Sequence, residues 1–150
     1  MAIIVIIREV PYIFLINTLA IKIYNRLDSG RRSDRIFAEK EAMQRMNSPY
    51  IIRLYSTSKD DNYLYFHMEV GIGGSLHKQL RHNFGINETV AYASELASAI
   101  FHMGTVGVVH RDIKLSNCLL DANGHLKLCD FGSSKVLFDI ADCQVPLIST

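Results

Sequence analysis

The sequence predicts an α+β fold: an antiparallel sheet carrying one helix, followed by a mostly helical segment that opens on a glycine cluster. Three observations predict it. Short runs rich in β-branched and aromatic residues recur up to Val70; Gly71-Ile72-Gly73-Gly74 then interrupts the chain; and a long stretch of helical periodicity follows from about Asn87.

Ile3 to Ile7 reads as a strand, and Tyr12 to Ile16 as a second, with a charged pair and Pro11 between them. The longest uncharged stretch here, Val10 to Ile21, contains Pro11 and Asn17. It falls well short of the roughly 20 apolar residues that a membrane span requires. Thr18-Leu19-Ala20 resembles a cleavage site, but no positive charge lies in Met1 to Ile7, so strands are expected rather than a secretory signal. Leu19 to Tyr24 reads as a third strand, and Asp28 to Arg32 as a turn. A helix of about three turns is expected from Ser33 or Asp34, with Ile36, Phe37, Met43 and Met46 on its apolar face. Asn47-Ser48-Pro49 ends it. Ile51 to Ser56 and Tyr63 to Val70 form a hairpin around the turn residues Ser58 to Asn62. Beyond the glycines, a short helix fits Ser75 to Arg81. The long helix follows, with Val90, Ala93, Leu96, Ala97, Ile100 and Met103 on one stripe and Gly104 closing it. A second hairpin turns at Asp121 to Gly124.

Composition narrows the function classes. The chain has 150 residues, 49% of them hydrophobic and 21% charged, which suits one core-forming domain. Sixteen basic residues against fifteen acidic ones give +1, so no overall field would draw nucleic acid or an acidic membrane to it. Three cysteines, an odd number with no CxxC pair, point to a reducing compartment, cytoplasmic or nuclear. The histidines at 67, 77, 82, 102 and 125 show no paired ligand spacing, so no zinc site is expected.

The chemistry concentrates in two segments. His110-Arg111-Asp112-Ile113-Lys114-Leu115-Ser116-Asn117 follows the long helix, and Asp130-Phe131-Gly132 follows the second hairpin. With these residues the chain resembles the eukaryotic protein kinase family, which carries H-R-D-x-x-x-x-N and D-F-G in this order with a hairpin between them. Ala20-Ile21-Lys22 is similar to the end of that family's V-A-I-K strand, and Glu39 falls on the next helix, where the family places the lysine's partner. The resemblance covers about Asn17 to Leu137.

The resemblance implies ATP and Mg²⁺ as cofactors and a protein serine or threonine hydroxyl as acceptor. Asn117 and Asp130 supply oxygens suited to Mg²⁺, a hard cation. Asp112 is suited to accept the acceptor's proton, with Lys114 adding positive charge beside the transferring group. Lys22 would pair the α- and β-phosphates, and Glu39 would hold it. For the adenine, the resemblance assigns Met68 to the back of the pocket, Glu69 to Gly71 to its backbone edge, and Ala20, Leu76 and Leu119 to the two faces of the ring. It assigns His110 to packing on Phe131, and Met43, Leu54, Phe131 and His110 to a stack joining two lobes. Most of these apolar side chains would be core in any fold. Cys129 reads first as a small buried residue. Lys114 matches the serine/threonine type, and Lys59-Asp60-Asp61, Asn87-Glu88-Thr89 and the stretch from Asp130 to Leu137 look most like the phosphoinositide-dependent kinase of the basophilic AGC group.

Two departures accompany the matches. No glycine occurs before Gly30, so the family's G-x-G-x-x-G lid is expected to be missing or replaced, with no Walker-type motif in its stead. No A-P-E segment follows Asp130-Phe131-Gly132 before Thr150. The expected organisation is thus a partial kinase domain: divergent strands over 1–16, an N-lobe over 17–70, a hinge over 71–74 and the start of a helical C-lobe over 75–150. A protein partner covering the incomplete C-lobe would fit. The sequence leaves two functions open: a truncated or divergent serine/threonine kinase, or a noncatalytic kinase-like binding module or gene fragment.

Overall fold

The computed structural model describes residues 3–8, 18–26, 31–79 and 84–137. The expected strand over 12–16, the turn at 28–30, Arg81, Cys143 and the remainder of 138–150 lie outside them.

The first strand, β1, is Ile3–Arg8, and the second, β2, is Thr18–Asn25. The helix α1, Arg31–Arg45, separates them from β3, Leu54–Lys59, and β4, Tyr63–Met68. The four strands make one antiparallel sheet in the order β1-β2-β4-β3. In its register Lys22 sits between Ile4 and Phe66. Asp60 makes the β3–β4 turn: its Oδ1 accepts the backbone N–H of Asn62 at 2.8 Å and of Tyr63 at 2.7 Å.

Helix α1 begins before the expected caps and runs 15 residues, about four turns, so Ser33 and Asp34 lie within its first turns. An acidic Asp34 near the N-terminus suits the helix dipole. Its buried stripe is Glu39, Ala42, Met43 and Met46, with Ile36 half-buried. Phe37, expected on the apolar face, is 65% exposed because it falls one step round the helix from that stripe. Ile51 and Ile52 also depart from expectation. They leave the sheet to pair with a later strand: Ile52 N donates to Leu128 O at 2.9 Å, and Leu128 N to Tyr50 O at 2.8 Å.

Past residues 71–73 come β5, Gly74–Ser75, and α2, Leu76–Gln79. The long helix α3, Ile86–Thr105, precedes β6, Val108–Val109; β7 is Cys118–Leu120, β8 is Leu126–Leu128 and β9 is Lys135–Val136. The strands form two small sheets, β5-β7-β8 and β6-β9, so this half is less purely helical than expected. Single 3₁₀ turns cover Leu115–Asn117 and Phe131–Ser133.

Gly104 lies within α3, and the chain leaves the helix at Gly107, whose φ of 71° is a left-handed conformation that other residues rarely adopt. The stripe that α3 buries is Ala99 and Met103, flanked by Tyr92 and Leu96, where it packs on β6 and β8. The expected stripe is therefore corrected: Val90, Ala93, Ala97 and Ile100 are exposed, with Phe101 at 75%. No helix among the described residues is long and apolar enough to cross a membrane. One buried cluster joins the two halves, with Phe66 from the sheet and Leu126, Leu128 and Phe131 from the later strands and turn.

The β7–β8 hairpin is fastened to α3 by a single carboxylate. Glu95 Oε1 meets His125 Nδ1 at 2.7 Å, and Oε2 accepts the Leu126 N–H at 2.7 Å. The hydrogen bond and charge of Glu95 raise the His125 pKa above its ordinary 6.5, with Asp121 adding to the effect and Lys127 opposing it. The folded chain thus holds this proton more tightly than the unfolded one, and the stabilisation is whole below pH 6.5 and lost as pH rises through the folded value. The thermal midpoint of His125→Ala should fall furthest below wild type under acidic conditions and converge on it as pH rises through the folded-state value. A pH-independent difference would contradict this.

Candidate active site

The site is assembled from both halves by a lysine that makes two ion pairs, one of which spans the sequence. Lys22, on β2, places Nζ 2.6 Å from Glu39 Oε1 on α1 and 2.8 Å from Asp130 Oδ1, 108 residues away in sequence. Lys22 and Glu39 are 8% and 2% exposed. Burial works against the Lys22 charge, but Glu39, Tyr24 and Asp130 outweigh it and hold the ammonium above the ordinary lysine range. Burial likewise pushes the Asp130 carboxyl up, and the hydrogen bond and charge of Lys22 outweigh it, leaving the group ionised below the usual carboxylate range.

Asp130 adopts a left-handed backbone, φ 64°, immediately before the 3₁₀ turn at Phe131. Among the described residues Arg111 is the other non-glycine residue with positive φ, at 67°. Both positions are sparsely populated for L-residues, and strain of this kind persists only where its surroundings fix it. Here Arg111 Nε donates to Ser133 O at 2.6 Å and Nη2 to Ser134 O at 3.2 Å, tying the loop at 110–117 to the turn after Asp130. His110 is 1% exposed and lies 4.8 Å from the Phe131 ring. Its Nδ1 accepts the Asp112 N–H at 3.2 Å, so Nε2 carries the proton donated to Cys129 O at 3.0 Å. His110 is therefore structural, and Met43, Phe131 and partly buried Leu54 share one cluster.

Asp112 stands 2.7 Å from Lys114 Nζ, whose hydrogen bond lowers the Asp112 pKa, while Asp112 raises that of Lys114. Asn117 Nδ2 donates to Asp112 O at 2.9 Å and Oδ2 at 3.1 Å. Its carbonyl accepts the Cys129 N–H at 2.9 Å, so the β7–β8 ladder sets Asn117 beside the segment leading to Asp130. A cleft of about 500 Å³ is lined by Lys22, Glu39, Asn117 and Asp130. Asn117 uses its amide nitrogen on Asp112, which leaves the amide oxygen as its ligand atom.

An adjoining cavity of about 270 Å³ is lined by Ala20, Met68, Glu69, Gly71 and Leu119, residues that the resemblance assigned to an adenine. Gly71 is required there, since a Cβ on it would come 2.5 Å from Leu119 Cβ. Leu76 is a correction: it opens α2, is buried to 4% in the core, and does not line this cavity. Ile4, Ser75, Lys78 and Cys129 line it and were not anticipated. Ile4 was detectable in principle, because it lies opposite Lys22 in the β1–β2 register, but the register is a long-range property. Burial pushes the Cys129 thiol up to about 12, consistent with an inert packing residue. Tyr24, also missed, donates its hydroxyl to Glu39 Oε2.

Comparison with known proteins agrees with this geometry. The sequence model of the protein kinase domain matches residues 16–145. A cAMP-dependent protein kinase, catalytic subunit-like, of Caenorhabditis elegans is 35% identical over 124 residues, covering 80% of this chain and 31% of the relative. Serine/threonine-protein kinase greatwall of Xenopus laevis is 35% identical over 136 residues, 87% of this chain and 15% of that protein. Rho-associated protein kinase 1 of Homo sapiens is 39% identical over 118 residues, 76% of this chain and 9% of that protein. The chain thus spans about a third or less of the length of these relatives. With the family's lysine, glutamate and two loop motifs brought together around one cleft, the chain belongs to the protein kinase family, serine/threonine type.

Proposed function

We propose that the chain transfers the γ-phosphate of ATP to serine or threonine hydroxyls of protein substrates. The observation that carries the reading is the Lys22 ammonium held between Glu39 and Asp130 in the wall of the cleft, with Asp112, Lys114 and Asn117 linked to one another on a second element.

Protein kinase domains generally use ATP and Mg²⁺, and the residues present fit both. The apolar cavity beside Met68 and Gly71 suits a purine, and the charged cleft next to it suits phosphates. Among the described residues no group of three or more His, Cys, Asp or Glu side chains could hold a metal alone. Asn117 and Asp130 therefore make a site that phosphate oxygens would complete, which is how Mg²⁺ is commonly held. When bound, Mg²⁺ neutralises phosphate charge and orients the transferred group. Lys22 offers its ammonium to the phosphates, and Glu39 keeps it from swinging away. Asp112, ionised across the physiological range, orients the acceptor hydroxyl and accepts its proton at a carboxylate oxygen. Lys114 stabilises negative charge beside it.

Free, partly or fully buried thiols at Cys118 and Cys129 support a cytoplasmic or nuclear setting. The second reading, a noncatalytic binding module, draws support from the exposed apolar side chains of Val90, Ile100 and Phe101 on α3, which suit a protein partner. Transfer of labelled γ-phosphate separates the two. Peptides with serine or threonine as sole acceptor should be labelled and those with tyrosine should not; ATP binding without labelling of any peptide would favour the module.

A further inference from the structure

The Glu39 carboxylate is nearly sealed from water, and each of its oxygens has its own donor: Lys22 on Oε1 at 2.6 Å and the Tyr24 hydroxyl on Oε2. A buried carboxylate is stable only with both oxygens partnered. Tyr24 follows Lys22 by two residues on β2, so strand alternation puts both side chains on one face of the sheet. The Tyr24 ring cannot wander: it is 9% exposed and set edge-on to Phe66 at 5.2 Å. Lys22 Nζ lies 5.4 Å from the centre of that ring, within cation–π range. Two of the three ammonium protons are directed at Glu39 and Asp130, while the ring bounds another side.

We propose that Tyr24 is a positioning residue for the Lys22 ammonium. Its hydroxyl fixes the rotation of the Glu39 carboxylate through Oε2, so that Oε1 alone meets Lys22 and the ammonium keeps its remaining reach toward Asp130 and the cleft. Without the hydroxyl, Glu39 turns both oxygens toward Lys22 and draws it from Asp130. The inference rests on the nucleotide-site reading above. Tyr24 also lines the cleft, and the role assigned to its hydroxyl acts through Glu39.

Tyr24→Phe tests it, since the ring packing stays and only the hydroxyl goes. Calorimetric titration with MgATP should give about fivefold to tenfold weaker binding in Tyr24→Phe, and less than about a twofold further change when the substitution is made in Glu39→Gln. A merely structural tyrosine would lower the thermal midpoint equally in both backgrounds and show no such dependence on Glu39. A second measurement needs no nucleotide: the side-chain ¹⁵N resonance of Lys22, assigned by its loss in Lys22→Met, should be slowly exchanging in wild type and shifted in Tyr24→Phe. An unmoved Lys22 resonance, or equal losses of MgATP affinity with and without Glu39, would overturn the role of Tyr24. Unchanged MgATP binding in Lys22→Met would instead refute the nucleotide site, leaving the resonance to decide on Tyr24.

Discussion

Replacing Lys22 with methionine is expected to destabilise the folded chain by about 3–5 kcal/mol, the usual consequence of leaving one member of a buried ion pair without its partner. Glu39 is the group left behind, at 2% exposure, with only the Tyr24 hydroxyl still donating to it. For a chain of this size the loss corresponds to a fall of about 6–20 °C in thermal midpoint. The reciprocal change Glu39→Leu should cost less, because Lys22 keeps Asp130 at 2.8 Å. In the double variant Lys22→Met/Glu39→Leu the two apolar side chains can pack together, and at least half of the Lys22→Met loss should return. Strictly additive losses in a thermal cycle would mean that the two residues do not form the pair described.

The second large effect is on rate. Asp112→Asn should lower phosphotransfer by about 10²–10⁴, the span that a positioned acid–base group typically contributes. The asparagine keeps an oxygen for Lys114 and Asn117, both of which now bond Asp112 Oδ2, so the loop geometry should survive. ATP affinity and thermal midpoint should stay near wild type, which separates this variant from Lys22→Met. A transfer rate unchanged in Asp112→Asn would remove that carboxylate from the chemistry.

What the sequence made legible was the chemistry that travels in short motifs. His110 to Asn117 and Asp130 to Gly132 are contiguous, so residue type and spacing suffice to name them. Lys22 and Glu39 were legible through the resemblance, which places such a lysine on a strand and its partner on the helix that follows. What stayed hidden depends on which of several apolar faces the fold selects. On α3, Tyr92, Leu96, Ala99 and Met103 make one helical stripe and Val90, Ala93, Ala97 and Ile100 lie on others; only the position of β6 and β8 decides between them. Ile51 and Ile52 look like the start of β3, yet the segment bridges to Leu128, bonded through the Ile52 N–H and Tyr50 O, a partner some 76 residues beyond Ile52 that no local pattern reveals. Leu76 has the right chemistry for a purine but is turned into the core at the start of α2. Tyr24 looked like any strand aromatic until the sheet and α1 were set together.

The central claim is that Lys22, Asn117 and Asp130 form a nucleotide site built for a metal-bound polyphosphate. Calorimetric titration of ATP with and without Mg²⁺, on wild type and on Asp130→Asn, tests it most directly. Binding should strengthen with Mg²⁺ in wild type, and the Mg²⁺-dependent gain should be lost in Asp130→Asn, whose neutral amide keeps the size of the side chain but not its charge. An ATP affinity indifferent to Mg²⁺, or a gain that persists undiminished in Asp130→Asn, would contradict it.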